Sequence, residues 1–139
     1  MAIDIQWKKK FEVGHPRIDQ QHRMFLELIR NISHASERQQ NKEWCIRLLR
    51  ETKKFAEFHF YSEENIMLEM GYPDYAGHQQ LHADLLTALD ERVHAYISER
   101  INLEAILVFL IDWFAQHTSI ADKKMAKFMN LLPHADEND

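Results

Sequence analysis

Along most of this chain the apolar positions recur three and four residues apart, the spacing of helices that each bury one face. The first such stretch predicts a helix from an N-cap at Asp19 to about Arg38, with Ile18, Phe25, Leu26, Ile29 and Ile32 inward. After the polar break Glu37-Arg-Gln-Gln-Asn41, Asn41 caps a second helix to about Met70, with Trp44, Leu48, Phe55, Ile66 and Met70 inward. Gly71-Tyr72-Pro73 stops it. A third helix starts at Asp74 and turns Leu85, Leu89 and Tyr96 inward, and Asn102 caps a fourth, running to about Leu131, with Ile106, Leu110, Trp113, Ala121 and Phe128 inward. Four helices of similar length on short links predict an all-α, up-down-up-down antiparallel four-helix bundle over residues 18–132. Residues 1–17 form an N-terminal arm that Gly14 and Pro16 keep out of the first helix, with Trp7 expected to pack it onto the body. Lys8-Lys9-Lys10 reads as a solvated turn, and residues 133–139 as an acidic tail that is a disordered end or the start of a linker.

The chain has 139 residues, 45% of them hydrophobic, and only three Gly and three Pro, which suits one helical domain. A net charge of −5 disfavours nucleic acid and anionic membranes as partners. Cys45 is the single cysteine, which excludes an internal disulfide framework and a thiolate cluster. The first residues are too short and polar for a secretory signal, and Asn102, Glu104 and Asp112 interrupt the most apolar stretch, so no membrane span is expected. The expected compartment is the cytoplasm.

Nine histidines change the picture. His22, His59, His78, His82 and His117 fall on the inward stripes, at least one per helix, and Glu63 lies one turn after His59 on the same face. His59 with Glu63, and His78 with His82, are each four residues apart, about 40° around a helix, so each pair offers two donor groups side by side. A single core histidine is ordinarily satisfied by a neighbour. Five imidazoles among Leu, Ile, Phe, Trp and Met have no such supply of partners, and a metal satisfies them together. His15, His34, His94 and His134 lie off these stripes and are expected to face solvent; Cys45 is expected to lie away from the His59 stripe as an ordinary thiol.

Five imidazoles exceed what one metal with an open position needs. Two octahedral metals can share them as three and two, bridged by Glu63, a second carboxylate and a solvent-derived oxygen, which leaves one position open on the two-histidine metal. The second carboxylate should come from the fourth helix, where Asp112 and Asp122 both stand five residues from His117, about 140° away in a regular helix. Asp122 is preferred, on the expectation that the ladder between Thr118 and Asp122 widens into a π turn. Imidazole and carboxylate without thiolate suit iron, zinc, manganese or nickel, and an open, redox-active site fits iron best.

Asp19-Gln-Gln-His22, His59-x3-Glu63, His78-x3-His82 and His117-x4-Asp122, in this order, resemble the hemerythrin family in its bacterial single-domain form. Glu63-Glu64, Met70-Gly71-Tyr72-Pro73 and Trp113, four residues before His117, fit as well, and the resemblance runs from about Trp7 to Phe128. It implies two non-haem irons with an oxo or hydroxo bridge: one held by His78, His82 and His117, the other by His22 and His59, with Glu63 and Asp122 bridging. It further implies reversible binding of dioxygen at the vacant position, in a pocket kept dry, and not an enzyme. Trp113, Phe114 and Leu26 are candidates for the apolar wall.

Two other functions compete. A di-iron oxidase would use Glu-x-x-His pairs; Glu12-Val-Gly-His15 contains Gly14, and Glu91-Arg-Val-His94 faces away from the core stripe. A sensor would report O2 or redox state to an attached or partner output domain, and a longer gene product would favour it. Carriage, storage or delivery of O2, the last to an O2-using partner, is the reading favoured by these residues.

Overall fold

The computed structural model describes residues 6–131, so the expected tail, His134 and the first residues of the arm lie outside the described residues. The arm forms a 3-10 turn at Lys9–Phe11 that buries Phe11. Helix α1 spans Pro16–Glu37, α2 Lys42–Met70, α3 Tyr75–Ile97 and α4 Leu103–Gln116, which continues through a π turn at His117–Asp122 into α5, Lys123–Phe128. α4, the π turn and α5 make the fourth rod of the bundle. α1 packs on α2 and α4, and α3 packs on the same two helices, the neighbour pattern of an antiparallel four-helix bundle.

The local chemistry explains the helix ends. Asn41 accepts from the Trp44 amide (2.8 Å) and Asn102 from the Ala105 amide (2.9 Å), each satisfying a donor that a helix start leaves open. Gly71 closes α2 in the left-handed region (φ 72°). The start of α1 departs from expectation. Its cap is His15, whose Nδ1 accepts from the Arg17 amide, and Pro16 takes the first turn, where a missing N–H costs nothing. Asp19 is instead buried inside that turn and accepts from the Val13 (2.8 Å) and Gly14 (3.1 Å) amides, which fastens the arm to the helix. Trp7 packs against Phe11, under the Arg23 guanidinium.

The face that α2 buries is Cys45, Leu49, Thr52, Ala56, His59, Phe60, Glu63 and Met67. Trp44 and Met70, expected inward, are about half exposed, and Cys45, expected off the stripe, is buried. Cys45, Thr52 and Ala56 admit close helix approach on that face, which Leu49, Phe60 and Met67 also fill, while Trp44 and Met70 fall to the flanks. Phe128 is likewise exposed, because the π turn rotates α5 relative to α4. His34 and His94 are exposed, as is Asp112, while His15 is half-buried as a cap.

Apolar packing falls into two clusters. The larger holds Phe25, Leu26, Ile29, Leu49, Leu89, Ile106 and Phe114; the smaller holds Val13, Ile18, Met67, Tyr72, Met125 and Met129. Along every rod the five histidines, Glu63 and Asp122 fall between members of one cluster and members of the other. They form a polar layer between two dry ones. Leu103–Phe128 meets the length and hydropathy of a membrane span, yet its Ile106, Leu107, Leu110 and Phe114 are core residues of the bundle.

Candidate metal centre

All seven residues singled out in the sequence are buried, and the fold brings them together. Glu63 Oε1 lies 2.8 Å from His78 Nε2 and 3.2 Å from His82 Nε2, while its Oε2 lies 3.5 Å from His59 Nε2 and 3.9 Å from His22 Nε2. Asp122 divides in the same way: Oδ1 is 2.9 Å from His78 Nε2 and 3.1 Å from His117 Nε2, and Oδ2 is 3.2 Å from His22 Nε2. Each carboxylate turns one oxygen to each histidine set. The donor atoms fall into two groups, Glu63, His78, His82, His117 and Asp122, and His22, His59 and Glu63, with the atoms of each group within 4.8 Å of one another.

Asp122 reaches this cluster through the π turn. A fifth residue in the turn brings His117 and Asp122 to the same side, and the Thr118 hydroxyl donates to the Phe114 carbonyl at 2.8 Å within the widened stretch.

Burial and pairing pull the protonation states apart. Burial, with repulsion from His22, pushes His59 down to about 3. Burial opposes a charge on His78 too, but the Asp122 and Glu63 carboxylates beside it outweigh burial and hold the imidazolium up to about 10. Burial and the Asp122 charge would raise Glu63, yet the adjoining His78 and His82 rings hold it at about 2. Asp122 is likewise held well below the carboxylate range against burial, by His117, His22 and His78. The protein alone thus balances two buried anions with borrowed protons.

The balance is incomplete. Glu63 Oε2, both Asp122 oxygens, His82 Nε2 and His117 Nε2 are buried without a hydrogen-bond partner among the described residues. Orphaned atoms of this kind are costly, and these are close neighbours of one another. Cations held among them would satisfy them together. Imidazole nitrogens with two carboxylates and no sulfur fit iron.

Residues to which the sequence pattern gave no bracing role support the donors. Gln21 Oε1, an acceptor only, lies 2.6 Å from His59 Nδ1, so Nδ1 carries the proton and Nε2 keeps its lone pair; Gln21 Nε2 in turn donates to Ser62 Oγ. The Glu64 carboxylate accepts from His82 Nδ1 at 2.8 Å. Phe60 stacks on His82 and Trp113 on His117, while Phe114 meets His22 edge-on at 5.6 Å. Gln21 precedes His22 and Glu64 follows Glu63 within the motifs quoted above, Trp113 and Phe114 were wall candidates, and Phe60 was marked only by following His59. Gln21 and Glu64 each brace a donor on the next helix, a pairing that only the packed bundle reveals.

A family profile described as "Hemerythrin HHE cation binding domain" matches residues 13–129. The chain belongs to the hemerythrin family. It is similar to a myohemerythrin of Theromyzon tessulatum, 28% identical over 119 residues that cover 86% of this chain and 88% of that protein. It is also similar to bacteriohemerythrins of Stenotrophomonas maltophilia (28% over 127 residues, 91% of this chain and 81% of the relative) and Clostridium acetobutylicum (24% over 131 residues, 85% and 95%). Hemerythrins are O2-binding proteins of non-haem iron rather than enzymes, and this hemerythrin's central cluster has the donors for that metal.

Proposed function

We propose that this hemerythrin binds O2 reversibly at a pair of irons, for carriage, storage or delivery to an O2-using partner. His78, His82 and His117 hold one iron and His22 and His59 the other, with Glu63 and Asp122 bridging. The observation that carries this reading is the matched division of the two carboxylates, one oxygen of each toward either histidine set. When bound, the iron pair supplies the electrons that take up O2 and return on its release.

The chain's own residues supply the rest. Gln21 and Glu64 keep Nε2 of His59 and His82 free to coordinate. Leu26, Phe25 and Phe114, each about 1% exposed, keep water from the His22 side, where the smaller number of histidines leaves room for a ligand. His22 and His78 point Nε2 at the carboxylates, and these are the atoms that would turn to the cations. The single thiol, Cys45, is buried and unpaired, as suits the reducing cytoplasm to which we assign the protein.

Two measurements test this. Metal analysis of the iron-loaded protein should give two irons per chain. Anaerobic reduction followed by air should produce a visible charge-transfer band that disappears when O2 is removed. A band that forms once and never reverses would reject reversible binding.

A further inference from the structure

The supports behind the two histidine sets carry different charges. His59, in the two-histidine set, donates through Nδ1–H to the neutral Gln21 amide at 2.6 Å. His82, in the three-histidine set, donates through Nδ1–H to the Glu64 carboxylate at 2.8 Å. The two braces share one layout. Each comes from the residue adjacent to a donor on one helix and reaches the donor of the next, α1 to α2 and α2 to α3. Both imidazoles are nearly fully buried; the bond to Gln21 is buried throughout, and the Glu64 carboxylate is 14% exposed.

An imidazole that hydrogen-bonds to a carboxylate is a stronger electron donor than one bonded to an amide, because the anion stabilises partial loss of the Nδ1 proton. Here Phe60 lies on the ring face of His82, 4.0 Å away and 6° from parallel, which fixes the plane of the ring along with the bond. The His82 Nε2 atom is buried and has no hydrogen-bond partner among the described residues, so the added basicity is free for a metal. Resting on the di-iron reading above, we propose that Glu64 is a positioning residue that makes the three-histidine iron the more electron-rich of the pair, and hence the first to be oxidised, while Gln21 keeps its counterpart poorer. The bundle then builds its inequality twice, once through donor number and again through the charge behind the donors.

The test exchanges the two charges. E64Q and Q21E are compared with wild type and with E64D, in which a shorter carboxylate restores the charge. Expected for E64Q are a higher reduction potential and release of iron to a chelator about 10–100-fold faster, with E64D lying closer to wild type. Q21E should lower the potential. In metal-free protein, the His82 Nδ1–H resonance should move upfield in E64Q, independently of any iron. Unchanged potential and release in E64Q, with only the melting temperature altered, would overturn the inference. If wild type held a single metal per chain, the di-iron reading would fail; faster release of that one metal in E64Q would still uphold the role of Glu64, and unchanged release would end it.

Discussion

Phe60 lies flat on the imidazole of His82, their ring centroids 4.0 Å apart and their planes 6° from parallel. The same phenyl ring meets Trp113 edge-on at 5.5 Å, so one side chain supports His82 from α2 and touches the tryptophan that stacks on His117. Replacing Phe60 by alanine should cost about 3–5 kcal/mol, as for other fully buried aromatics. Iron should also leave F60A faster, because His82 loses the surface that holds its ring. Chemical denaturation and a chelator-release assay, run side by side, check both effects. Phe60→Leu, which keeps the volume but not the flat face, should recover most of the stability and less of the retention.

Donor removal separates the buried histidines from the exposed one. Alanine at His59 or His82 should sharply reduce iron per chain, whereas alanine at His94, whose side chain is 67% exposed, should leave it unchanged. Metal analysis after identical loading distinguishes them, and equal iron in all three variants would contradict the assignment of donors.

Metal-free protein should respond to pH at both ends. His78 is raised from 6.5 to about 10, so its contribution is complete below about pH 6.5 and disappears as pH rises through about 10. His59 is lowered from 6.5 to about 3 and Glu63 from 4.5 to about 2. The unfolded chain therefore binds protons that the folded one refuses, and stability falls as pH drops from 6.5 toward 2. Melting temperatures of metal-free protein across this range should form a dome. With iron bound His78 no longer depends on its proton, so the alkaline loss should shrink.

Removing iron should lower the melting temperature even at neutral pH. Ligand bound only to the folded state adds about 2.7 kcal/mol at a hundredfold excess over its dissociation constant. For a domain of this size that amounts to at least several degrees. Equal melting curves with and without metal would mean that the orphaned oxygens and nitrogens of the centre cost the fold nothing.

Gly14 provides a test of the arm. It sits at φ 91°, and a Cβ there would clash with the Leu131 backbone carbonyl oxygen. Gly14→Ala should destabilise by more than about 1 kcal/mol and raise proteolysis within the arm, as read by limited digestion.

The bundle was legible because periodicity survives without knowledge of partners. Asn41, Asn102 and Gly71 mark their helix ends by chemistry alone, and the histidines declared themselves by standing in apolar stripes. The α2 stripe was harder to read. Trp44 carries more hydrophobic area than Cys45, but the closeness of helices favours small residues at the seam, and a single strand of text does not show how near the neighbour comes. Asp19 looked like a cap because Asp commonly is one, whereas Pro16 had already begun the helix. The π turn at His117–Asp122 was reachable only by reasoning from need, since five-residue spacing cannot align two donors in a regular helix. Gln21 and Glu64 stood within the quoted motifs, but their bracing role was hidden because their partners lie on other helices.

Phe11 is fully buried against Phe114, which in turn stands over His22. The segment bearing Phe11 belongs to no rod of the bundle, and the Asp19 carboxylate ties it down a few residues further on. Part of the lining on that flank is therefore borrowed from a strap outside the helices. Loosening that strap should uncover Phe114 and the His22 side of the centre, although every donor remains in place.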